Sequence, residues 1–251
     1  MPITDTRTLR IARARRRVQD WQYRARRAIN GLIRLLMRVV LLRITVEGLE
    51  NVPAQGPTIV IFNHVNFLDG PLALGLIPRD MVGMTKIETF DTPILGTLAR
   101  WYGIFGVRRG EVDRQALRQA HEILAEGKAL LYSPEGHRSG TGNLQEAKDG
   151  IALIAMRANA AIVPMAFVGL ERFKENAKRL RHTEIRVIIG EPFRLKALPH
   201  VGRREMLRLM TTQVMYRLAA LLPAEYRGEY HDLRQASLTH LDFLGQEANL
   251  S

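Results

Sequence analysis

Two residues separated by four, His64 and Asp69 in Asn63-His64-Val65-Asn66-Phe67-Leu68-Asp69-Gly70, are the pair on which chemistry could be built. An imidazole with its ordinary pKa of about 6.5 can take a proton at neutral pH, a contribution of roughly 10² to 10⁴ in rate. A carboxylate bonded to the other ring nitrogen would fix the tautomer and stabilise the imidazolium. On a regular helix five steps of about 100° leave two side chains about 140° apart, so the chain must turn between them. Each residue also has a plainer reading: a strand-end histidine bonded to backbone, and an aspartate capping a helix ahead of Gly70-Pro71.

The elements that must position this pair follow from the neighbouring pattern. Pro57-Thr58-Ile59-Val60-Ile61-Phe62 is a short apolar, β-branched run, the signature of a buried strand, and it places His64 just beyond the strand's carboxyl end. Ligands bind at that end in open α/β sheets. From residue 44 onward strand-like and helix-like segments alternate. Ile44 to Glu47, Val82 to Thr85, Ile104 to Val107, Ala129 to Tyr132, Ala161 to Val168 and Glu184 to Ile189 read as strands. A short helix after Pro71, Asp91 to Trp101, Val112 to Glu126, Lys148 to Asn159 and Arg203 to Leu222 read as helices. The expectation is an α/β domain over 44–222, a mostly parallel or mixed sheet flanked by helices. A basic helical arm over 1–43 precedes it and a polar tail over 223–251 follows.

Composition narrows the function. Across 251 residues, 37 Lys and Arg face 25 Asp and Glu, giving a net charge of +12, which points to a polyanionic partner such as a phospholipid surface, nucleic acid or a phosphorylated substrate. Aromatic residues make up 6% and no nucleic-acid motif is present, so base stacking has little to build on and a nucleic-acid partner is not expected. There is no cysteine, which removes disulfides and thiol nucleophiles, and seven histidines without ligand spacing argue against a metal. Serine occurs at 133, 139, 237 and 251, none in a Gly-x-Ser-x-Gly elbow, which disfavours an α/β-hydrolase esterase.

The arm is rich in arginine, and Arg34 and Arg38 break its apolar run well short of the roughly 18 to 20 residues needed to span a bilayer. At helical spacing Arg27, Gly31, Arg34 and Arg38 share one face, while Leu32, Leu35, Leu36, Val39 and Leu42 populate another. This is the pattern of a helix lying in a membrane interface, or of an amphipathic helix packed on the domain with a solvated basic face.

Three further blocks follow in order: Gly103-Ile104-Phe105-Gly106-Val107-Arg108-Arg109, then Pro134-Glu135-Gly136-His137-Arg138-Ser139, then Ile162-Val163-Pro164-Met165-Ala166-Phe167. Together with His64 and Asp69 they resemble, over roughly residues 48 to 193, the glycerophospholipid acyltransferases, whose best-known members acylate lysophosphatidic acid. Gly106 replaces a usually bulky apolar residue and His137 a usual threonine. The resemblance implies an acyltransferase of phospholipid synthesis that moves a fatty acyl group from a thioester to a lysophospholipid hydroxyl, with His64 as base and Asp69 as its partner. It implies that Arg109, Glu135, Gly136 and Arg138 hold the acceptor, with Glu135 bonding a glycerol hydroxyl, and that Lys148 faces the donor or the acceptor phosphate. No resident cofactor is expected: acyl-coenzyme A or acyl carrier protein would enter as the thioester co-substrate. The partners expected are the lysophospholipid acceptor, that donor and an anionic membrane surface. The expected place is the cytoplasmic face of the cell membrane, in peripheral or monotopic association.

Overall fold

Thr58-Ile59-Val60-Ile61-Phe62 has no polar alternation, and a strand of that kind is stable only with both faces covered. In the computed structural model, which describes residues 6–39, 42–108, 113–199 and 201–244, this segment is the fully buried strand β2 (Thr58–Phe62). Around it the described chain runs α1 (Thr6–Val39), β1 (Leu42–Glu47), β2, α2 (Asp69–Leu76), β3 (Met81–Lys86), α3 (Pro93–Tyr102) and β4 (Phe105–Val107). It continues through α4 (Arg114–Ala125), β5 (Ala129–Tyr132), α5 (Gly150–Ala158), β6 (Ala161–Val168), α6 (Phe173–Lys178), β7 (Thr183–Ile189), β8 (Phe193–Leu195), α7 (Arg203–Ala219) and β9 (Leu241–Phe243).

The strands form one mixed sheet in the order β1-β7-β6-β2-β5-β3-β4, with β8 beside β6 and β9 beside β8. β2 pairs in parallel with β5 and β6, and β3 pairs in parallel with β5 and β4, so the middle of the sheet delivers its carboxyl ends to one rim. β6 meets β7 and β8 in antiparallel fashion. Pro164 has no N–H to give. It lies where β6 changes neighbour on that side, from β8 at Ile162 to β7 from Met165 onward, which is how a proline fits inside a sheet.

Period-two geometry divides β2 between two cores. Ile59 and Ile61 point into one with Leu124 of α4, Ile151 of α5 and Val214 of α7, while Val60 and Phe62 point into the other with Leu72 of α2, Phe167 and Val187. β7 instead alternates buried with more exposed positions, and the edge strand β1 half-buried with exposed ones, as strands with one covered face do.

Two boundaries differ from expectation. Leu42, expected on the apolar face of the arm, opens β1 and pairs with Thr183. The stretch after Pro223 was expected as a polar tail, yet it buries Tyr226, Tyr230, His240 and Leu241 and supplies β9. Its signal is weak in sequence because these contacts are single aromatic side chains separated by polar turns, without either regular period. No described helix is long and apolar enough to cross a membrane.

Candidate functional site

β2 ends where its backbone ladder is handed to a side chain. Asn63, buried, donates from Nδ2 to the Phe167 carbonyl at 2.9 Å and accepts from the Phe167 N–H at 2.7 Å, so an amide side chain replaces the next strand residue. The main chain is thereby free to turn. His64 leaves the sheet with its ring edge-on to Phe62 at 5.6 Å between centroids.

The turn brings His64 and Asp69 together. Nδ1 of His64 lies 2.8 Å from Oδ2 of Asp69, and the same oxygen accepts the Val65 N–H at 2.7 Å and the Asn66 N–H at 2.9 Å. Asp69 does begin α2, but its carboxylate reaches back to the loop instead of capping the helix amides ahead of it. Asp69 is fully buried, and burial raises its pKa, against the hydrogen bonds from His64 and the two amides that stabilise the charged form. An oxygen accepting two backbone N–H groups is an acceptor for the ring as well, so Nδ1 carries the imidazole proton and Nε2 offers a lone pair. Among the described residues no protein group hydrogen-bonds Nε2, and the His64 side chain is 18% exposed.

A second loop fixes His64 by its backbone. Glu135, only 1% exposed, accepts the His64 N–H on Oε1 at 2.8 Å and the Gln145 N–H on Oε2 at 3.0 Å, and the Ser139 N–H donates to the His64 carbonyl at 2.8 Å. Burial, with a smaller push from the Asp69 charge, raises the Glu135 pKa to about 7. Each oxygen of Glu135 accepts a main-chain amide, so the side chain braces the loop around His64. Gly136 turns the loop at φ +73°, and no atom lies within 4 Å of where a Cβ would be, so the glycine answers a left-handed backbone and not crowding. The chain beyond is held by the carboxyl-terminal stretch: the Leu144 N–H donates to the Tyr226 carbonyl, and the Ala147 N–H to the Tyr230 hydroxyl.

The remaining expected residues fall in three places. Arg138 is exposed on the loop between Glu135 and Ser139. Lys148 is exposed too, its backbone N–H bonded to the Pro134 carbonyl at 3.0 Å, which ties it to the root of that loop. Arg109 lies outside the described residues. Its neighbour Arg108 is exposed just after β4, at the rim where β2 and β5 also end, and gives its backbone N–H to Asp113, the cap of α4. Gly106 has Ile87 and Phe90 side chains 3.3 Å from a would-be Cβ, so in this chain those two fill the space a bulkier residue would take. Asn63, Ser139 and Gln145 were not singled out in the sequence. Asn63 alone had a signal, a polar residue ending an apolar run; the others act through backbone N–H groups, which every residue type has.

A parallel-centred α/β sheet thus carries a histidine–carboxylate pair at its carboxyl rim. Residues 43–168, half the chain, match the family model described as Acyltransferase, and the chain belongs to that family. It is 31% identical over 155 residues to the 1-acyl-sn-glycerol-3-phosphate acyltransferase LPAT1, chloroplastic, of Arabidopsis thaliana, covering 60% of this chain and 43% of that one. It is 27% identical over 179 residues to the 1-acyl-sn-glycerol-3-phosphate acyltransferase of Bacillus subtilis, covering 71% and 87%. The crystal structure of the 1-acyl-sn-glycerophosphate (LPA) acyltransferase PlsC of Thermotoga maritima superposes with a TM-score of 0.59 at 25% identity, covering 78% of each chain. The match spans less than half the length of the chloroplast relative.

Proposed function

We propose that this protein transfers a fatty acyl group from an acyl thioester to the free hydroxyl of lysophosphatidic acid, giving phosphatidic acid. The observation that carries the reading is the 2.8 Å contact between His64 Nδ1 and Asp69 Oδ2, which leaves Nε2 unoccupied by protein. In the proposed step Nε2 takes the acceptor hydroxyl proton as that oxygen attacks the thioester carbonyl. The tetrahedral intermediate collapses with cleavage of the C–S bond, and the imidazolium returns the proton to the departing thiolate. The thioester arrives on coenzyme A or on acyl carrier protein, and Arg109, Arg138 and Lys148 grip the acceptor phosphate, a task suited to guanidinium forks.

Transfer is direct, without an acyl-enzyme. Ser139 uses its hydroxyl to accept the Gly142 N–H, and the Ser133 hydroxyl is buried without a partner, so neither is paired with His64. Attachment is peripheral, at the anionic cytoplasmic leaflet, through α1. Between residues 18 and 35 this helix exposes Trp21, Leu32 and Leu35 on one flank and Arg24, Arg27 and Arg34 on another.

The test is to incubate purified protein with lysophosphatidic acid and each donor, and to repeat it with His64→Ala. The expected result is phosphatidic acid from one donor at least, with kcat lower by roughly 10² to 10⁴ in the variant at an unchanged circular dichroism spectrum. Undiminished turnover in folded His64→Ala, or a stable acyl adduct on Ser133 or Ser139 with donor alone, would overturn the mechanism.

A further inference from the structure

The opposite rim of the sheet carries a second concentration of arginines. Met81, which opens β3, is level with Ala129 of β5 and through it with Thr58 of β2. His64 stands six residues beyond Thr58, so at roughly 3.3 Å per residue the start of β3 is about 20 Å from the catalytic end. There α1 crosses the body and leaves a hollow of about 310 Å³ between its Tyr23–Arg34 segment and the chain around Arg79–Met81 and Tyr102.

Most polar groups of this hollow are already employed. Arg26 is ion-paired to Asp80 at 2.8 Å and donates to the Tyr102 carbonyl at 3.1 Å. Arg79 donates to the carbonyls of Pro53, Gly56 and Gly127 and to the Thr58 hydroxyl. Two arginines are left over among the described residues. Arg27 lies over the Tyr23 ring at 5.9 Å with no carboxylate partner, and Arg34 makes one long contact of 3.5 Å to the Gly75 carbonyl. The Tyr102 hydroxyl and the Asn30 side chain are buried in the lining and interact with each other, Tyr102 being 3% exposed. An adjoining depression shares Tyr23, Arg26 and Asp80 and adds Asp20 and the Glu126–Lys128 ion pair, so the cations without carboxylates among the described residues lie at the Arg27–Arg34 end.

We infer that this hollow binds the phosphate of an anionic phospholipid, as a lipid site separate from the catalytic one. Two guanidinium forks without carboxylates among the described residues match phosphate oxygens, and the phenol hydroxyl beside Asn30 adds a donor an entering acceptor can use. The same helix that supplies both arginines exposes Trp21, Leu32 and Leu35, so the acyl chains of a bound lipid have an apolar flank beside them, which a free phosphate ion would not use. The site ties the arm to the body and the membrane at once. It does not depend on the acyl-transfer reading.

Full-length protein carrying His64→Ala, so that no turnover intervenes, is titrated calorimetrically with monomeric dihexanoylphosphatidylglycerol and, separately, with inorganic phosphate. The lipid should bind saturably and at least tenfold more tightly than phosphate. Arg27→Gln with Arg34→Gln should weaken it tenfold or more, and Tyr102→Phe, which removes only the hydroxyl, about threefold. Arg181→Gln, an exposed arginine away from the hollow, should leave it unchanged. Equal affinity for phosphate would overturn the lipid assignment. Unweakened binding in the folded double variant, or binding lost in Arg181→Gln, would overturn the site itself.

Discussion

At the carboxyl rim of the sheet side-chain to backbone hydrogen bonds fix the loop that carries His64, whereas at the amino rim two arginines stand without carboxylates among the described residues. Asp69 holds His64, Val65 and Asn66; Glu135 holds His64 and Gln145; Ser139 holds the His64 carbonyl. Across the sheet, Arg27 and Arg34 lack carboxylates among the described residues. The difference follows from what each rim must do. The base proposed for His64 would have to stand within tenths of an ångström of a hydroxyl, a demand that a loop braced by backbone bonds meets without a ligand. A binding hollow must leave its donors open, because a donor satisfied by protein has nothing left to give.

The largest effect that would sharpen this contrast is Asp69→Asn. The amide can still hold the turn by accepting from Val65 and Asn66, but it no longer selects the Nδ1–H tautomer with a charge. The expected outcome is a fall in kcat of roughly 10² to 10⁴ with KM little changed, read from initial rates. Equal loss of Tm and activity would mean that Asp69 is a brace like Glu135, and the contrast between the two carboxylates would fail.

Glu135→Ala should act on stability first. It strands the His64 and Gln145 amides, a cost of about 1–3 kcal/mol per unsatisfied buried group, measured by urea unfolding. Glu135 also gives a pH signature. Its folded pKa of about 7 lies above its unfolded value, so the native state binds the proton more tightly, and stability falls as pH rises from about 4.5 through 7. Wild type should therefore lose stability relative to Glu135→Gln across that window. A difference independent of pH would show that the carboxyl titrates normally.

Gly136→Ala should have the smallest effect. It forces a Cβ into a left-handed turn at φ +73° with free space around it, a cost of about 1–2 kcal/mol in stability, with KM for the acceptor rising and kcat nearly unchanged. A collapse of kcat would place the reacting atoms nearer to this loop than the bracing of His64 suggests.

Much of this arrangement was legible beforehand because it is local. A run such as Thr58 to Phe62 declares a two-faced buried strand, and alternation with helical segments declares the layered sheet. The His64–Asp69 spacing could be read as a turn because a helix would hold the two residues apart. What escaped was non-local or generic. Leu42 reads equally well as the last turn of a helix or the first residue of a strand, and only its pairing with Thr183 settles it. The stretch after Pro223 is polar on average and docks through isolated tyrosines, which no periodicity reveals.

By itself the sequence determined which groups could react: an imidazole, a carboxylate five positions on, and arginines for an anion, with no thiol to compete. Tertiary structure alone decided what the second carboxylate contacts. Glu135 is buried and turns both its oxygens onto the His64 and Gln145 amides, 71 and 10 residues away along the chain. Residue type fixes what a side chain can accept or donate. Only the folded chain, by bringing distant backbone within about 3 Å, fixes whether that capacity is still free.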